Sequence, residues 1–72
     1  MVIKMNDIYV DGEKLKASME KSGFTMTTLA LRARVSEQML QEIMDGKRAI
    51  SFLDMTRIAG LLGVGSNELM KQ

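Results

Sequence analysis

The chain has 72 residues, with ten basic and nine acidic side chains, a net charge of +1, and neither histidine nor cysteine. This length predicts one small domain, and the missing Cys and His exclude disulfides and the commonest metal ligands. The near-neutral charge excludes a histone-like protein, while 46% apolar and 26% charged residues are typical of a globular chain. The longest apolar run, 58–64, is far too short to span a membrane, and residues 1–4 lack the pattern of a secretory signal. We therefore expect a soluble, cytoplasmic protein.

The same composition argues against an enzyme. Without His and Cys the chain lacks the commonest general base and the best nucleophile. Its carboxylates are spread singly along polar positions, and Gly63 and Gly65 lack the preceding strand and the third glycine of a dinucleotide loop. We expect no catalytic residue, no metal, no cofactor and no small-molecule substrate.

In chain order, residues 1–10 favour an extended arm or a short strand, and residues 11–72 form the domain. Five short helices are predicted in the domain from N-cap residues and from the residues that end helices. Their expected spans are 12–22, 26–33, 37–45, 52–62 and 66–71. Ser51 with Asp54 resembles a capping box at the start of the fourth helix. The predicted fold is an all-α, compact bundle.

The apolar spacing predicts which helix faces are buried. In the second helix, the buried face is predicted to be the helical stripe of Met26, Leu29, Ala30 and Ala33. In the fourth helix the predicted inner face begins at Phe52. We expect one common core formed by Leu29, Leu40, Ile43, Ile58 and Leu62.

Residues 25–46 carry the main functional signal, because two short helices are joined there by a turn of about three residues. This is the arrangement of a helix-turn-helix. Ala30 is small where the next helix crosses closely, and Val35 and Leu40 fill the space between the two helices.

These residues resemble the phage repressor and Cro-like helix-turn-helix family, which has the lambda-repressor-like fold. The resemblance covers about sixty residues and implies DNA binding, usually as a dimer on two half-sites, with the helix after the turn in the major groove. The positions that match the family pattern are Leu29, Ala30, Val35, Ser36, Leu40, Ile43, Gly46, Lys47, Arg48, Ala59, Leu62, Gly63, Val64 and Leu69.

The sequence departs from the family pattern on the side expected to face DNA. Arg34 stands where the family prefers glycine, and a left-handed backbone there costs about 1 kcal/mol. Met26 replaces a glutamine that braces the phosphate backbone, and Met44 replaces a glutamate. Ile50 stands where the family has proline.

The charge of the predicted recognition helix is also unusual. Residues 37–46 contain three carboxylates and no Lys or Arg, a net charge of −3. Duplex DNA attracts Lys and Arg, so phosphate contacts are expected only from the flanking basic residues. Glutamine amides can pair with adenine, and a glutamate can accept from cytosine. The candidate DNA- or partner-binding residues are Met26, Arg34, Glu37, Gln38, Met39, Gln41, Glu42, Met44, Asp45, Lys47 and Arg48.

Two functions fit these observations. In the first, the protein is a small transcriptional regulator of a phage-type lysis/lysogeny switch in a bacterial host, and it binds operator DNA through residues 25–46. The sequence does not decide whether it binds as a homodimer. In the second, it is an antirepressor whose acidic, Met-rich helix face binds a cognate phage repressor and blocks its DNA-reading surface. The second hypothesis treats Met26, Met39 and Met44 as an exposed, adaptable protein-binding surface.

Overall fold

A computed structural model describes residues 8–71 and contains four α-helices in that part of the chain. They are α1 (Gly12–Ser22), α2 (Met26–Ala33), α3 (Glu37–Met44) and α4 (Phe52–Leu62). A single 3₁₀ turn, Ser66–Glu68, follows α4. The all-α helix bundle predicted from the sequence is confirmed, with four α-helices rather than five.

The four helices begin at the predicted N-cap residues. The side chains of Asp11, Thr25, Ser36 and Ser51 each accept a hydrogen bond from a backbone N–H in the first turn of the helix that follows. Such a side chain replaces a missing intrahelical partner and stabilises a helix by about 1 kcal/mol. At α4 only half of the expected capping box is found within residues 8–71. Ser51 accepts from the Asp54 N–H, whereas the Asp54 carboxylate lies 3.6 Å from Arg57.

The fifth helix predicted over 66–71 is shortened to the 3₁₀ turn Ser66–Glu68, because the backbone after that turn pairs with the N-terminal segment. The Asp11 N–H donates to the Leu69 carbonyl at 2.8 Å, and the Lys71 N–H donates to the Tyr9 carbonyl at 2.9 Å. These bonds flank an antiparallel bridge between Val10 and Met70. A backbone used in this way cannot continue the i to i−4 bonds of a helix.

The N-terminal segment makes a second bridge on its other side. Ile8 and Ile50 exchange two backbone hydrogen bonds, of 3.2 and 2.8 Å. Residues 8–10 therefore lie between the segment that precedes α4 and the segment that follows the 3₁₀ turn. The remainder of the expected arm, residues 1–7, lies outside the described residues.

One hydrophobic core joins all four helices. The five predicted core residues, Leu29, Leu40, Ile43, Ile58 and Leu62, are all buried in a single cluster, which confirms that prediction. Phe52 is an exception to the predicted inner face of α4, with 47% of its surface exposed. It is the first residue of α4 and lies at the margin of the buried stripe that Met55 begins.

The start of α1 is packed against the end of α3. A Cβ atom added at Gly12 would overlap the Met44 carbonyl group, a backbone atom that has no side-chain freedom to move away. Glycine therefore allows a close approach here that other residues would prevent. This contact helps to fix the orientation of α3, whose opposite side faces solvent.

Candidate nucleic-acid interface

The turn between α2 and α3 is defined by backbone hydrogen bonds and by an unusual arginine. The Val35 N–H donates to the Ala30 carbonyl at 3.0 Å, and the Arg34 N–H donates to the Leu31 carbonyl at 3.3 Å. Together these two bonds form a Schellman motif, which places its C′ residue in the left-handed region. Arg34 occupies that position with φ of 62°, as expected if it replaces the glycine of the family pattern.

Ser36 then begins α3 and sets its outward side. Its hydroxyl accepts from the Met39 N–H at 3.0 Å. Residues spaced i, i+3, i+4 and i+7 share one side of a helix. On the solvent side of α3, this spacing groups Gln38, Gln41, Glu42 and Asp45, which we call the outward stripe. Asp45 is the C-cap residue of α3. Three of the four residues are exposed and Glu42 is half-buried.

Two hydrogen bonds occupy the C-terminal part of the outward stripe. The Gln41 amide donates to the Asp45 carboxylate at 2.9 Å. The Nε of Arg48 donates to the Glu42 carboxylate at 2.8 Å, which forms an ion pair between α3 and the segment after it. Three of the four side chains in the stripe therefore already have a partner within the protein.

Gln38, at the N-terminal end of the outward stripe, differs from the other three residues. Its side chain is exposed, and no hydrogen bond to its amide is found within residues 8–71. Next to it, the Glu37 carboxylate accepts from the Thr27 hydroxyl of α2 at 3.2 Å. Of the two glutamines that the sequence offers as base-reading residues, Gln41 has one amide hydrogen bond within residues 8–71 and Gln38 has none there.

Basic side chains flank α3 rather than lying on it. Arg34 before the helix and Lys47 after it are both exposed, and neither takes part in an ion pair within the described part of the chain. Arg48 is also exposed but is paired with Glu42. Among the described residues, Arg34 and Lys47 near the acidic helix are therefore without an ion pair, and Arg48 has one.

The expectation that three methionines are exposed is wrong, whereas their role in binding a partner stays a prediction. Met26, Met39 and Met44 are each half-buried and packed against the hydrophobic core. Met26 and Met44 line a shallow cleft of about 390 Å³ together with Phe24 and the buried Met19. The family pattern has polar residues at these positions, but an apolar side chain gains free energy by packing onto the core.

Within residues 8–71, no group of three or more Asp or Glu side chains could hold a metal ion. Among the same residues, no helix combines the length and the apolar character that crossing a bilayer requires.

The α2–turn–α3 unit is a helix-turn-helix, the class of fold element that inserts its second helix into a DNA groove. The helix-turn-helix family HTH_3 matches residues 15–69, which is most of the chain. The protein belongs to this helix-turn-helix family of DNA-binding transcriptional regulators, consistent with its resemblance to the phage repressor and Cro-like proteins.

A solved structure has the same fold. The crystal structure of the restriction-modification controller protein C.AhdI from Aeromonas hydrophila superimposes with a TM-score of 0.72 at 21% sequence identity. The match covers 79% of this chain and 86% of the controller protein. At this identity the likeness concerns the fold. No curated protein sequence matches the chain.

Proposed function

We propose that the protein is a small transcriptional regulator of a phage-type lysis/lysogeny switch, and that it binds operator DNA directly through residues 25–46. The observation that carries the proposal is the free amide of Gln38 at the N-terminal end of α3. Recognition helices contact base edges mainly through their N-terminal residues, and a glutamine amide can bond both N6 and N7 of adenine. Gln38 therefore lies at the best-placed end of α3, and its amide has no hydrogen-bond partner within residues 8–71.

The flanking cations support the same mode of binding. Arg34 before α3 and Lys47 after it are both exposed, so each can donate to a phosphate of a bound duplex. Few free cations and an acidic stripe imply weak attraction to DNA in general. A dimer on two half-sites would double the phosphate contacts and the base contacts, so we propose a dimer as the binding form.

A selection experiment tests this proposal. The wild-type protein is used to recover duplexes from a randomised DNA library at low salt, and affinity for the recovered duplex is compared with that for a scrambled duplex. We expect a recovered motif containing adenine and a fall in affinity with rising salt. If a protein shown by circular dichroism to be folded recovers no motif, direct operator binding is wrong.

A second candidate function is favoured by the charge of the outward stripe. Glu37–Met44 contains no basic residue, and the stripe carries two carboxylates. Such a surface is complementary to the basic DNA-reading helix of another helix-turn-helix protein. As an antirepressor, the protein would bind a cognate phage repressor and release it from its operator.

Charge reversal separates this candidate from the first. In interferometry against the purified repressor, Glu42→Lys combined with Asp45→Lys should weaken the complex, mainly through slower association and with a strong salt dependence. The matched control combines Glu20→Lys on α1 with Asp54→Lys on α4, because it changes the net charge equally and also breaks one ion pair. Equal loss in both double variants would contradict binding through the outward stripe.

A further inference from the structure

The ion pair between Glu42 and Arg48 lies at the surface of the protein. Its side chains are 35% and 50% exposed, and pairs at such sites add little to folding stability. It nevertheless joins the outward stripe of α3 to the basic segment that follows, with a distance of 2.8 Å between Nε and Oε1. Its position suggests a role in the bound complex.

The bond between Glu42 and Arg48 uses only one of the three guanidinium nitrogens, Nε. Glu42 accepts from Nε of Arg48, and within residues 8–71 no hydrogen bond involves the two Nη nitrogens. Those nitrogens form an edge that donates two parallel hydrogen bonds to a pair of acceptors. Duplex DNA offers two such pairs, the oxygens of a phosphate and the O6 and N7 atoms of guanine.

We propose that Glu42 is a positioning residue, which holds Nε so that both Nη groups of Arg48 are directed at an acceptor pair of the bound duplex. This inference rests on the proposed operator binding. The affinity gained by orienting Arg48 in advance exceeds the affinity lost to repulsion between the Glu42 carboxylate and a phosphate. Ordering a free arginine side chain costs the equivalent of roughly 30-fold in affinity, whereas one exposed carboxylate about a Debye length from a phosphate costs less than about twofold.

The decisive measurement is whether DNA affinity rises or falls when the Glu42 carboxylate is removed. Against the duplex recovered from the library, Glu42→Ala should lower affinity by roughly 3- to 10-fold, although it removes a negative charge from a DNA-binding surface. Glu42→Gln, which keeps an oxygen acceptor for Nε, should retain most of the affinity. In an Arg48→Gln background, Glu42→Ala should no longer lower affinity, because only the repulsion then remains.

The second ion pair provides the matched control. Asp54→Ala removes the carboxylate that faces Arg57 on α4 and should change affinity by less than about twofold. Exchange of the Arg48 Nε–H, followed by NMR in the free protein, should be slow in wild type and fast in Glu42→Ala. Thermal melts of each variant show whether a lost affinity reflects a lost fold.

The acceptor is identified by Arg48→Gln, which should lower affinity roughly tenfold. An equal loss on recovered and scrambled duplexes identifies a phosphate, and a loss confined to one G·C pair identifies guanine. A higher affinity of Glu42→Ala, or an equal fall with Asp54→Ala, would overturn the positioning role alone. Failure of the wild-type protein to bind any duplex would overturn the proposed operator binding and the positioning role together.

Discussion

The two sides of α3 are held in place by different kinds of interaction. On the buried side, Leu40 and Ile43 are 0% and 1% exposed and gain free energy from non-directional contact with the core. On the outward stripe, Gln41 and Glu42 are held by directional hydrogen bonds, whereas Gln38 is not held. The buried side therefore positions the helix, and the pattern of bonds on the other side decides which polar group is available to a ligand.

The largest expected effect comes from the buried side. Leu40→Ala removes a fully buried side chain at the centre of the core and should lower the free energy of unfolding by about 2–5 kcal/mol. Leu31→Ala on α2 is the control, because Leu31 is 76% exposed and should change stability by less than about 0.5 kcal/mol. Urea unfolding of both variants checks the difference, and a Leu40→Ala curve that matches wild type would contradict this packing of α3.

The next effect concerns how α1 holds the end of α3. Gly12→Ala would force its Cβ into the Met44 carbonyl, so we expect a loss of about 1–3 kcal/mol. Gly60→Ala within α4 has no heavy atom within 4 Å of the new Cβ and should instead gain about 0.4–1 kcal/mol. Thermal melts should show a lower midpoint for Gly12→Ala and a higher midpoint for Gly60→Ala. A gain from both substitutions would show that the contact with Met44 is not tight.

The outward stripe is tested by comparing its two glutamines. Gln38→Ala should cost about 1–3 kcal/mol in discrimination at one or two base pairs, with no loss of folding stability, because its amide is free. Gln41→Ala should have a smaller effect on discrimination, since the Gln41 amide is bonded to Asp45. Anisotropy titrations on single-base variants of the recovered duplex measure both. Equal losses would mean that the intramolecular bond does not limit Gln41.

The smallest effect lies in the turn before α3. Arg34→Gly should raise stability by about 0.5–1 kcal/mol, because glycine adopts the left-handed conformation without a Cβ clash. The same change removes a free cation beside α3 and should lower affinity for all duplexes alike. A thermal melt checks the gain in stability, and a titration with the scrambled duplex checks the loss of affinity. A fall in stability would contradict strain at Arg34.

Most of the fold could be predicted because local chemistry determines it. Each N-cap residue that the sequence indicated begins a helix in the structure, and Arg34 adopts the expected left-handed conformation. The helix predicted over 66–71 does not continue beyond the 3₁₀ turn, and the reason is non-local. Residues 69–71 pair with residues 9–11, and no periodicity within either segment reports on a partner so distant in the chain.

Less of the candidate site could be predicted. The sequence identifies both glutamines and all three acidic residues near α3, but it does not tell which amide is free, because that depends on rotamers and on the path of the chain after the helix. The bond from Arg48 back to Glu42 is one example. The methionines were misplaced because family patterns describe the usual residue at a position, while burial depends on the surface actually beside it.

The bridges made by residues 8–10 also have a consequence for the order of folding. The backbone hydrogen bonds within each helix join residues four apart, whereas the bridges from Ile8 to Ile50 and from Val10 to Met70 each close a long loop. Closing a long loop costs more chain entropy, so these bridges are expected to form after the helices and to open before them. Release of residues 8–10 would break both bridges in one event. The amide hydrogens of Ile50 and Lys71, far apart in sequence, would then exchange with solvent at a common rate set by that single opening.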